Sequence, residues 1–307
     1  MGEFMRRLTY AAAMIAATLT AFSAAAQVTV RVAYAGSMGV VMDKGLGPAF
    51  SKLTGDEFQG IGQGAYGLAR LIAGGQVQAD VFVSITPGPI RILQDAGLVG
   101  PATPVASTSM VIVYNDRGPY AAQFAAARDG KAEWWRVLET PGLKFGRTDP
   151  ATDPQGQNII FTMLLAQRYY KQPDLEAKVL GDVANPQQVF GEGSVLARVQ
   201  AGQLDASSGY ESAAVSAKMP FIKLPDEINL SDPALQTEWY DTVSFNLPGK
   251  DGASKAIKPQ PMVFYAAVLK NSRNAARAAR FLDFMTSAEG QKIFKDNGYG
   301  EPKGDKL

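Results

Sequence analysis

Residues 145–170 read FGRTDPATDPQGQNIIFTMLLAQRYY. A short β-type run passes through a polar turn with two Asp-Pro pairs into a helix. Asp153 stands where an N-cap belongs, and Pro154 follows at the first helical position, where its missing N–H is no loss. Gly156 leaves bare backbone in the first turn, and Ile159, Ile160, Met163 and Leu164 supply an apolar face. The stretch is therefore a strand–turn–helix unit. Its helix start directs free N–H groups and a positive dipole end at whatever lies over the strand ends. Two roles stay open for Asp153: cap of its own helix, or a group that faces a ligand.

The same unit recurs upstream. QVTVRVAY (27–34) reads as a strand, followed by AGSMG (35–39) and a glycine-interrupted helix. EFQGIGQ (57–63) is a weaker strand before the helix GAYGLARLIAGG (64–75), and ADVFVS (79–84) a strand before PGPIRILQDAGL (87–98). Such alternation predicts parallel sheets covered by helices, with sites outside the carboxyl ends of the strands. PATPVASTS (101–109) reads as a loop crossing into a second lobe, and MVIVYN (110–115) as the strand that opens it. PMVFYAAVLK (261–270) reads as a strand returning to the first lobe, and RNAARAARFLDFMTSAEGQKIFKDNG (273–298) as one terminal helix. The expected fold is α/β and two-lobed, each lobe a mostly parallel sheet flanked by helices. Residues 27–108 plus 262–307 form the first lobe and 109–261 the second.

Ahead of this lie Arg6 and Arg7, an alanine-rich apolar run, and Ala24–Ala26 before Gln27. That is the pattern of a secretory signal peptide over residues 1–26, with Met1–Phe4 as a vector-derived scar, so a periplasmic location is expected. No later stretch reaches the ~20 apolar residues of a membrane span. The 307 residues contain no histidine and no cysteine. This excludes Ser-His-Asp and Cys-His catalysis and zinc sites built on those side chains. Removing Glu3, Arg6 and Arg7 from the 30 basic and 29 acidic residues leaves the two signs equal, which argues against a nucleic-acid partner. No cofactor is indicated. GQGAYG (62–67) fits G-x-G-x-x-G, but it follows a poor strand outside the first strand–helix unit. Its glycines read better as room for backbone to approach a small ligand than as a nicotinamide site.

Five turns share one chemistry: Ser37, then Gly64, then Ser84, then Asp153 and Glu211 in the second lobe, with Gly156 as a backbone donor. Hydroxyls and helix-start amides from two lobes can enclose a small anion. The two carboxylates pose a problem, since each would repel an oxyanion at 4 Å by about 4 kcal/mol at an effective dielectric of 20. Three resolutions are open. The acids are structural caps, or they are protonated donors, or they bond to an electrophilic centre inside the anion. Molybdenum(VI) and tungsten(VI) can expand from four to six oxygen neighbours, whereas sulfur(VI) cannot.

The segments AGSM, ADVFVS, KFGRTDPATDPQGQ, GYESAA, KLPDEINLSD and FLDFMTSAEGQKIFKDNGY together resemble the archaeal-type periplasmic molybdate/tungstate-binding proteins, type II solute-binding proteins of ABC importers. The resemblance runs from about Val30 to Gly298. It implies that Ser37, Ser84, Asp153 and Glu211 hold the oxyanion in an expanded octahedral arrangement, the two acids bonded to the metal. It implies a binding protein rather than an enzyme, a permease of the inner membrane as partner, and a monomer. Two departures stand out: Ile85, Thr86 and Pro87 follow Ser84 where the family has a small residue and an acid, and Gln157 and Asn158 replace a tyrosine-arginine pair. Another anion such as sulfate, a ferric complex, or an exported carboxylate-dependent hydrolase are the alternative readings.

Overall fold

The computed structural model describes residues 28–248 and 254–307, so the expected signal peptide and its scar lie outside the described residues. The strands are β1 (Thr29–Ala35), β2 (Glu57–Gln63), β3 (Val81–Ile85), β4 (Thr103–Ser107), β5 (Met110–Tyr114), β6 (Phe145–Thr148), β7 (Val189–Phe190), β8 (Ala206–Tyr210), β9 (Phe221–Lys223), β10 (Phe245–Pro248), β11 (Ser254–Ile257) and β12 (Val263–Val268). They form two five-stranded sheets, ordered β2-β1-β3-β12-β4 and β7-β6-β8-β5-β9, and a separate β10-β11 hairpin. In the first sheet β1 runs parallel to β2 and β3, and β12 is antiparallel to both its neighbours. In the second, β6 is parallel to β7 and β8, while β5 is antiparallel to β8 and β9.

The burial of each strand follows from its place. Central strands β3 and β5 are buried along their whole length and carry near-continuous apolar runs, as strands covered on both faces must. β2 is an edge strand, mostly exposed, which accounts for its glycine-rich, weakly β-forming sequence.

Two sequence readings change. PATPVASTS is not simply a loop, because it contains β4. Val105 and Ala106 are fully buried there, and Pro104 is tolerated because β4 is the other edge of its sheet. The terminal run is not one helix but two, Ala275–Thr286 and Ala288–Asp296. Ser287 breaks it: its hydroxyl accepts the Gly290 N–H at 3.2 Å as an N-cap. Gly290 is required there, since a Cβ would run into the carbonyl of Phe284.

The second sheet is clamped by an unforeseen residue, Arg147. Its side chain is wholly buried on β6 and donates to the carbonyls of Val183 (2.8 Å) and Asp182 (2.6 Å) and to Gln188 Oε1 (3.2 Å). Burial lowers its pKa from the ordinary arginine value. Truncation would strand these acceptors without a donor. Arg147→Ala is expected to destabilise the protein by about 3 kcal/mol, read from urea unfolding. Among the described residues, no helix is long and apolar enough to cross a membrane.

Candidate functional site

Asp153 is the N-cap of the Pro154–Tyr170 helix, its Oδ1 accepting the Gln155 N–H at 3.0 Å. The turn before it is wound around Asp149. Asp149 O accepts from Thr152 N (3.1 Å) and Asp153 N (2.9 Å), and Asp149 Oδ1 accepts from Ala151 N at 2.8 Å. Gln157 donates to Pro150 O at 2.8 Å. These bonds fix the turn rigidly, and with it the Asp153 side chain. Asp153 is 2% exposed, and its second oxygen, Oδ2, is buried with no hydrogen-bond partner. Burial drives its pKa up from 3.8 to about 6. The Gln155 amide and the Thr148 hydroxyl, which lies close by but outside hydrogen-bonding geometry, pull it back, and the Asp149 charge adds to the rise. Capping thus accounts for one carboxylate oxygen and leaves the other unexplained, since an unsatisfied buried acceptor is costly.

This turn touches the half of the molecule built on the first sheet. Gly64 caps the Ala65–Ala73 helix, and a Cβ there would lie 3.0 Å from Thr152 O and 3.3 Å from Asp153 Cβ. Gly67 N donates to Thr152 O (3.0 Å) and Arg70 Nη1 to Ala151 O (2.8 Å). Beside these contacts opens a cavity of about 930 Å³, lined from the first half by Gln63, Gly64 and Arg70 and from the second by Thr148, Asp153 and Phe190.

The remaining predicted residues fall differently. Ser37 is half-buried in a single 3₁₀ turn, Gly36–Met38, directly after β1. Ser84 is fully buried inside β3, and its hydroxyl donates to the carbonyl of Ile85 at 3.0 Å rather than standing at the strand end. The residue that does stand there is Thr86, 6% exposed and at φ 65°, a conformation that costs a β-branched residue dearly. Tyr66 packs beside it, its hydroxyl lying where a Cβ on Gly88 would be. Burial raises the Tyr66 pKa, the positive charges of Arg70 and Arg91 oppose the rise, and the Asp153 charge adds to it. Sequence reading missed both residues. Pro87 hinted that Thr86 is extended in ψ, but nothing local reveals its positive φ. Gly156 is explained by packing: a side chain would collide with Thr148 O and Pro150 N.

Glu211 departs most from expectation. It opens the Glu211–Ser216 helix as anticipated, but it lines a second cavity of about 400 Å³ with Ser109, Lys223, Asp226 and Lys303, and is not among the residues lining the cavity of Asp153. Its Oε2 accepts from Ser109 Oγ (2.9 Å) and its Oε1 pairs with Lys223 Nζ (2.7 Å). The structure does not bring the two acids to one cavity, because a lysine and a hydroxyl already hold the second.

A family model described as bacterial extracellular solute-binding protein matches residues 30–300. Among curated proteins, the molybdate/tungstate-binding protein WtpA of Thermococcus kodakarensis is 31% identical over 211 residues, 62% of this chain and 58% of that one. An uncharacterized solute-binding protein of Petrotoga mobilis is 31% identical over 195 residues, 63% of this chain and 59% of that one. The chain thus spans somewhat under two thirds of the length of these relatives. Among solved structures, the periplasmic molybdate-binding protein of Azotobacter vinelandii superposes with a TM-score of 0.62 at 17% identity, covering 89% of this chain and all of that one. That likeness shows the fold, the two-sheet α/β fold of periplasmic binding proteins.

Proposed function

The chain belongs to the bacterial extracellular solute-binding protein family, and on that premise we propose that it is the periplasmic solute-binding component of an ABC importer that closes on molybdate or tungstate. The relatives bearing those names support the ligand class, and one observation carries it. A carboxylate oxygen, Asp153 Oδ2, sits buried and unpartnered beside the seam between the two halves. A lone-pair donor in that position repels an anion whose centre cannot take another oxygen. It suits a metal centre that can.

In this reading the two lobes, 27–108 plus 262–307 and 109–261, shut over the guest by hinge motion. A tetraoxo anion is far smaller than the 930 Å³ cavity, so it occupies the inner end at Asp153, and the rest serves as a vestibule. From the first lobe the backbone of Gly64 approaches the anion's oxygens, while Ser37, which like Glu211 is not among the residues lining this cavity, joins them only as the lobes shut further; Asp153 bonds to the metal from the second. Ser84 and Gly156 act from behind, shaping β3 and the first turn of the 154–170 helix. Glu211 is the weaker ligand of the pair, since joining the guest means giving up Lys223 and Ser109. Glu211→Gln is therefore expected to change tungstate affinity less than tenfold.

Calorimetry of the purified protein against tungstate, molybdate and sulfate tests the proposal. Tungstate or molybdate is expected to bind at least tenfold more tightly than sulfate, and equal affinities would sink it. Elemental analysis of the protein as purified is expected to find molybdenum or tungsten. The protein delivers its guest to a membrane permease unchanged, as a monomer and without turnover.

A further inference from the structure

The amide of Gly67 lies in the first turn of the Ala65–Ala73 helix, where helix N–H groups have no acceptor within the helix. Its acceptor is Thr152 O, on the other half of the molecule. One turn further along, Arg70 reaches across to the neighbouring carbonyl, Ala151 O, at 2.8 Å, and its guanidinium lies 5.9 Å from the Tyr66 ring centroid. Both carbonyls belong to the turn that Asp149 holds rigid and that ends in Asp153. The first half therefore grips the backbone of the very turn that positions the buried carboxylate. Neither bond involves a guest.

We infer that Arg70 is a positioning residue, a latch that sets how long the closed form lasts and hence how slowly the guest leaves. The inference rests on the proposed binding of a tetraoxo anion only for its kinetic consequence; the latch itself is a contact of the protein alone. Arg70 acts on carbonyl oxygens through a charge-assisted bond, which a small side chain cannot replace and a lysine replaces in part. Encounter takes place in the open form, before the latch is made. The latch's effect therefore falls on dissociation; the Arg70 charge, which lines the anion's vestibule, separately favours association, and a lysine keeps that charge.

Two measurements decide it. In stopped-flow experiments with tungstate, Arg70→Ala is expected to raise koff about tenfold, its kon falling only by what the lost positive charge costs, while Arg70→Lys, which keeps the charge, shows the parent's kon and a smaller rise in koff. Unchanged koff, or a loss confined to kon, would overturn the latch. Hydrogen exchange on the protein without any anion provides the second. The Gly67 amide reports separation of the halves, because its acceptor is across the seam. Arg70→Ala should speed its exchange at least fivefold while amides in the middle of the 154–170 helix stay as protected as in the parent. Equal Gly67 exchange in the two proteins would overturn the latch even if tungstate binds. Should the parent fail to bind tungstate, the ligand assignment falls while the exchange result still decides the latch.

Discussion

Asp153→Asn is expected to bind tungstate at least a hundredfold more weakly and yet, free of ligand, to unfold at a higher temperature than the parent. The two effects share a cause. In the folded chain Asp153 ionises near pH 6 instead of 3.8, mainly because burial disfavours its charge. A carboxyl with a raised folded pKa binds its proton more tightly folded than unfolded. Its contribution is thus fully present below pH 3.8 and lost as pH rises through 6. Two pKa units correspond to about 3 kcal/mol missing at pH 7.5. Asparagine keeps the cap on Gln155 N and is neutral at every pH, so it recovers about 2 kcal/mol of this, a rise in Tm of roughly 4–8 °C for a chain of this size. What it cannot supply is an anionic oxygen for the metal. The parent's tungstate affinity should fall about tenfold from pH 7.5 to pH 5, as the ionised fraction of Asp153 drops to about a tenth. A protonated, hydrogen-bond-donating Asp153 predicts the reverse: tighter binding at pH 5 and near-normal binding by the asparagine variant. Calorimetry at the two pH values and a thermal melt of each protein separate these cases.

Gly64→Val is expected to weaken tungstate binding tenfold to a hundredfold with little change in the stability of the ligand-free protein. Gly64 has φ −54°, which any residue can adopt, so the substitution imposes no backbone strain. The obstacle is the other half of the molecule. The first added carbon would already crowd Thr152 O and Asp153 Cβ, and the branch methyls make the approach of the two halves impossible. Gly67→Ala is the control. Its Cβ would lie 3.7 Å from the Thr152 side chain, an ordinary contact, and its N–H would remain available to Thr152 O. Affinity there should stay within threefold. If both variants bind as the parent does, closure at this seam is not part of binding.

Local chemistry made much of this architecture readable. Asp153 and Pro154 marked a helix start that the structure places at the same residues, and the apolar runs around Val81 and Met110 marked two central strands. What escaped was non-local. β4 is held by its pairing with β12, some 160 residues later, so its own Thr-Pro-Val-Ala-Ser could only look like a loop. The break at Ser287 was visible as a possible cap, but the apolar period runs on either side of it without interruption. At the site, Asp153 could be singled out by its position. The lysine that holds Glu211 comes from β9, and no spacing rule connects them. Tyr66 and Thr86 each gain their setting from neighbours in other segments.

The place of β12 governs how this chain can come into being. It sits between β3 and β4, and in chain order it follows every strand of the second sheet. A polypeptide emerging amino end first therefore carries β3 and β4 with a vacant slot between them while the whole second sheet is made. The earlier-born half is completed only after the later one, and it stays open to proteases and chaperones until β12 arrives.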